Sequence, residues 1–197
     1  MNKLDALKQS IIRFMTISGF IILAAYLLYG KRIFYFNYSQ SEFFQSGITI
    51  GIAFTAFRDK KYRQGIGALI LWYILLNGVS HTEVLWFFIQ LAMYITIISL
   101  GVYYSIAICR KPFINNKFFR IATPIVVIGV SNALISIVIV LIHVWYNIKN
   151  ILYLPEEVIL NLKYGALLGL FLGMSNEILE EYIFPKLSKQ KITSEQR

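Results

Sequence analysis

One cysteine, Cys109, is all the chain has, so no intrachain disulfide can form and a Cys-x-x-Cys metal or redox pair is excluded. Its two histidines, His81 and His143, stand far apart and form no His-x-x-x-His or His-Glu-x-x-His pattern, so no local zinc motif exists. Acid is scarce, with 10 Asp and Glu against 19 Lys and Arg and a net charge of +9. No Gly-x-x-x-x-Gly-Lys-Ser/Thr phosphate loop and no cluster of aspartates is present. What the chain does have is apolar sequence. Hydrophobic residues make up 57% of its 197 positions, against about 45–50% in soluble domains.

That apolar content falls into segments separated by short charged loops, the pattern of a polytopic membrane protein. The hydropathy pattern predicts an all-α, six-span membrane bundle, with spans at about 11–29, 41–57, 64–79, 84–109, 121–146 and 160–184. The fourth and fifth segments exceed the ~18-residue threshold for spanning. The second and third are shorter than a ~30 Å hydrocarbon core needs, so they either recruit flanking Ser, Tyr or Phe or form a re-entrant pair. Pro155 suits the first turn of the sixth helix, where a missing N–H costs nothing, and Glu156 and Glu157 follow where a carboxylate meets the positive end of the dipole. Residues 1–185 are expected to form one transmembrane domain, followed by a polar tail at 186–197. The first apolar run has no small-residue cleavage site before Lys31 and Arg32, so it should remain as an anchor.

Charge sets the expected orientation. Every Lys and Arg except Lys31, Arg32, Lys149 and Lys163 falls on one side of this topology, and cytoplasmic loops carry the basic excess. Both termini are therefore expected in the cytoplasm of a cell-membrane protein, with Arg58, Lys60, Lys61, Arg63, Arg110 and Lys111 in the basic cytoplasmic loops. The same distribution makes the positive charge a topology signal, so the expected surroundings are lipid rather than nucleic acid. Aromatic residues gather at 34–44, on the opposite side, as an interfacial anchor.

Three patterns stand out inside the spans. Gly165, Gly169 and Gly173 recur every four residues, the spacing that lets membrane helices approach closely, and predict either internal helix packing or a partner or homo-oligomer interface. A weaker row, Gly47, Gly51 and Thr55, is a candidate counter-face. Glu177 is an ionisable group within a span and is expected to face the bundle, at a depth where an ion pair with Arg13 is geometrically feasible. Asn132 and Asn176, with Glu177, form the candidate intramembrane polar site, a seam between the fifth and sixth helices. At the outer helix ends, His81, Glu83, His143, Glu156 and Glu157 could converge, but their spacing carries no ligand motif, so no metal and no cofactor is expected.

The catalytic patterns in the chain are incomplete. Gly78-Val79-Ser80 partly resembles the serine motif of rhomboid proteases, which has Gly where this chain has His81. Glu180-Glu181 partly resembles the Glu-Glu-x-x-x-Arg motif of prenyl-protease-like membrane enzymes, where this chain has Pro185. The function expected is thus non-enzymatic, an accessory or regulatory membrane protein of the immunity or defence type acting on a protein partner. The alternatives are a binding or transport component for a small molecule, whose layout is similar to the substrate-binding subunits of energy-coupling vitamin transporters, and an intramembrane hydrolase using Ser80 and His143.

Overall fold

The computed structural model describes residues 3–30, 40–77, 84–109, 116–145 and 151–187. Among them the protein is all-helical: α1 (Lys3–Gly30), α2 (Gln40–Arg58), α3 (Tyr62–Asn77), α4 (Val84–Cys109), α5 (Lys117–Trp145) and α6 (Leu154–Ile178). A single 3-10 turn, Ile151–Tyr153, leads into α6, and a wide π turn, Leu179–Ile183, follows it. Four helical stretches are long and apolar enough to cross a membrane: Asp5–Ala24, Phe87–Cys109, Lys117–Ile142 and Ile151–Leu187. The expected six spans are thus only partly supported. α3 has 16 residues, about 24 Å of helix, and α2 dilutes its 19 residues with Gln45, Ser46, Thr49 and Thr55. α5 and α6 begin at Lys117 and Leu154, earlier than the apolar segments, because a helix continues through polar residues that hydropathy alone cuts off.

Many large apolar side chains are exposed. Met15, Leu23, Leu71, Leu75, Val126 and Leu134 all lie on the surface, as expected where the surrounding solvent is lipid rather than water. α6 is the central element. Half of its span is buried, compared with 22–28% for the other three long helices.

Glycine brings α5 onto α6. A Cβ on Gly169 would overlap the Pro124 carbonyl oxygen and stand 2.7 Å from the Ile125 Cα; at Gly165 it would lie 2.7 Å from the Ile128 carbonyl oxygen, and at Gly173 2.9 Å from that of Ile121. These neighbours are backbone atoms, which cannot swing aside. The second small-residue row does not face α6, because Gly47 and Gly51 receive Ser18, Ile22 and Phe14 of α1. Small residues therefore set two separate close approaches, α1 to α2 and α5 to α6, in a medium that gives helices no hydrophobic reason to associate.

Pro124 sits within α5 and removes the N–H that would bond the carbonyl of Arg120. The Cys109 thiol donates to that carbonyl instead, at 3.6 Å, tying the end of α4 to the start of α5. The α2–α3 connection is a tight helix end, with the Lys61 N–H bonded to the Ala56 carbonyl (2.8 Å) and the Lys60 N–H to that of Phe57 (3.2 Å). This double bond pattern needs a left-handed residue, and Lys60 takes it at φ 60°.

Candidate functional site

The two ends of the bundle differ in chemistry. At the end that holds the start of α1, the α2–α3 turn and the π turn, charges are paired. Arg13, 8% exposed, bonds Asp59 at 2.5 Å and lies over the Phe184 ring at 5.4 Å. Ser10 donates to the other Asp59 oxygen. Arg58 bonds Glu180 at 2.9 Å. Arg120 grips Glu177 with both limbs of its fork, Nε at 2.7 Å and Nη2 at 2.9 Å, and reaches Glu181 at 3.5 Å, while Lys117 bonds Glu181 at 2.5 Å.

This arrangement corrects the expected Arg13–Glu177 pair. Arg13 belongs to Asp59 and Glu177 to Arg120, because α5 and not α1 covers the face of α6 that carries the glycines and Glu177. Of the residues read as basic loops, Arg58 is engaged, Lys60, Lys61 and Arg63 are exposed, and Arg110 and Lys111 lie outside the described residues. Asp59 escaped the sequence argument. Its signal was being the only acid in the string Arg58–Arg63.

The opposite end opens instead of closing. A cavity of about 390 Å³ lies between α2, α4, α5 and α6, with Tyr73 of α3 on its wall. Its floor is apolar, formed by Val102, Ile128 and Leu168, with Gly101 leaving room where any other residue would place a side chain. Polar groups line its mouth and one wall. Glu157, Asn161 and Tyr164 come from successive turns of α6, Ser46 and Thr49 from α2, and Ser131, Asn132 and Ser136 from α5.

Most of these groups are held in place by short local bonds. Tyr164 donates to the Glu42 carbonyl at 3.3 Å, so in its 2.6 Å bond with Ser46 the serine is the donor. Thr49 donates to the Gln45 carbonyl at 2.7 Å, so Tyr94 donates to Thr49. Ser131 and Ser136 bond carbonyls one turn back in α5. Asn132 uses one amide N–H on the Ile128 carbonyl at 2.9 Å, which leaves its second N–H and its carbonyl oxygen for an occupant.

The proposed polar seam therefore comes apart. Asn132 lines the cavity beside Gly165, whereas Asn176 and Glu177 lie about 16 Å further along α6, at the paired-charge end. Asn176 keeps a buried amide oxygen with no partner, and Ser175 bonds back to Leu172. Ser80, His81 and Glu83 lie outside the described residues, as does the His143 side chain. No group of three metal-ligating side chains occurs among the described residues. The cavity itself was not legible in the sequence, since it is made by parts of five helices.

No family model, no curated protein and no solved structure matches the chain. Fold and composition together define a helical-bundle membrane protein.

Proposed function

We propose that the chain is a membrane-embedded binding protein, the substrate-binding or transport component for a small molecule. The observation that carries this is the 390 Å³ cavity, within the ~300–1,000 Å³ range of ligand sites and built, as such sites are, from apolar walls with a few convergent polar groups. The excess of Lys and Arg assigns the paired-charge end to the cytoplasm, so the cavity opens to the outer side. Ion pairs across α1, α2, α5 and α6 close the inner end beneath it.

An accessory protein that docks a cytoplasmic partner is the second reading, supported by the exposed Lys60, Lys61 and Arg63 at the α2–α3 turn. Its other support is weaker than the sequence implied, because α5 occupies the glycine face of α6.

Filling the cavity separates the two. A Cβ at Gly101 meets Ser131 only at ordinary distances, 3.4 and 3.6 Å, so Gly101→Leu fits its helix and extends into the cavity floor. Overpacking of about 1–3 kcal/mol against a ligand corresponds to roughly tenfold or more in affinity. Protein extracted in mild detergent should release a stoichiometric small molecule into solvent, and Gly101→Leu at equal abundance should release about tenfold less. An empty wild-type protein, or equal release from both, would contradict the proposal.

A further inference from the structure

Resting on that reading, we propose that the occupant is a single-chain cationic amphiphile that enters sideways from the bilayer, between α4 and α5. A second hollow of about 370 Å³ lies on the outer surface of the α4–α5 groove, walled by Thr96 and Leu100 of α4 and Leu134 and Val138 of α5. Leu100, Leu134 and Val138 are 48%, 58% and 47% exposed, so this hollow faces lipid. Met93, Ile97, Ser131 and Ile135 line both spaces, so the same side chains stand between the two. Met93 is unbranched and turns easily, and Ser131 is small. The two hollows are therefore one path with a movable wall.

Polarity divides along that path. Among the described residues, charged and amide side chains occur only on the inner cavity, while the outer hollow offers Thr96 and Ser131 as its sole polar groups. A molecule with a polar head and an alkyl tail matches both halves at once. The sign of the head follows from the lining: among the described residues Glu157 is the one ionisable acid or base on it other than tyrosine, and Tyr73, Tyr94 and Tyr164 bring to it aromatic rings of the kind that attract a cation. A carboxylate in a low-dielectric mouth repels an anionic head.

The probe is an alkylammonium with a photoreactive diazirine at the chain end, added to phosphatidylcholine vesicles containing the full chain. After photolysis, adducts should map to Leu100, Leu134 and Val138, and should be competed by dodecylammonium but not by dodecyl sulfate. Glu157→Gln should reduce labelling about tenfold, the size expected for losing one charge-assisted contact. Glu156→Gln, next to it but off the cavity lining, should label as wild type. Adducts scattered equally over Leu23, Leu71 and Leu75 would overturn the sideways path. Labelling lost in Gly101→Leu but competed equally by the sulfate would overturn the cationic head and leave the cavity reading standing; labelling unchanged in Gly101→Leu would overturn both.

Discussion

Gly169→Ala should lower the melting temperature of the purified protein by about 6–12 °C, the consequence of an overpacking cost near 3 kcal/mol in a chain of this size. The new methyl would overlap the Pro124 carbonyl oxygen and stand 2.5 Å from its carbon. Both are backbone atoms of a helix, so α5 and α6 must separate. Separation along that face also loosens the Arg120–Glu177 fork, which bridges the same two helices two turns further on. Gly165→Ala and Gly173→Ala should follow with smaller losses, since their nearest backbone neighbours stand at 2.7 and 2.9 Å. Gly67→Ala is the control: nothing lies within 4 Å of its Cβ position, and alanine gains up to about 1 kcal/mol of helix propensity there. Thermal unfolding of the four variants in one detergent checks the order. Equal stability of Gly169→Ala and wild type would show that α5 and α6 do not pack through this face.

The second large effect concerns a charge. Asp59→Ala removes the partner of Arg13, which is 8% exposed and already carries one buried nitrogen, Nε, with no partner. Breaking a buried pair from one side costs about 3–5 kcal/mol, because the remaining charge stays desolvated. Arg13→Met combined with Asp59→Ala should recover most of that loss, since the aliphatic stem still fills the space beside Phe184 and no charge is left behind. Denaturant titration of the two single variants and the double variant measures the coupling. A silent Asp59→Ala would mean that Arg13 reaches the headgroups, as its distance from the end of the first apolar run implies.

Hydropathy made the helices readable, and the four-residue repeat at Gly165, Gly169 and Gly173 marked a packing face before any partner was known. Which helix would meet that face was not readable. A single helix carries its own periodicity but not its rotation against five others, so depth alone makes a pair of Arg13 and Glu177 feasible although each has another partner. Arg120 looked like one more topology charge until α5 placed it against Glu177 and Glu181. Asp59 was hidden for the opposite reason, as one acid among basic residues whose role depends on α1 passing beside the α2–α3 turn. The cavity needed all of these placements together, since its lining is drawn from parts of five helices and no one segment has an unusual composition.

Cysteine accessibility tests the central claim most directly. In a Cys109→Ala background, Ser136→Cys on the cavity wall and Ser105→Cys, buried in α4 nearer the inner end, are each placed in sealed right-side-out vesicles. A membrane-impermeant maleimide should label Ser136→Cys from outside and leave Ser105→Cys untouched, and adding Gly101→Leu should slow the labelling. If Ser136→Cys reacts only after the vesicles are opened, or reacts no faster than Ser105→Cys, the protein has no outward-facing cavity and the binding function fails with it.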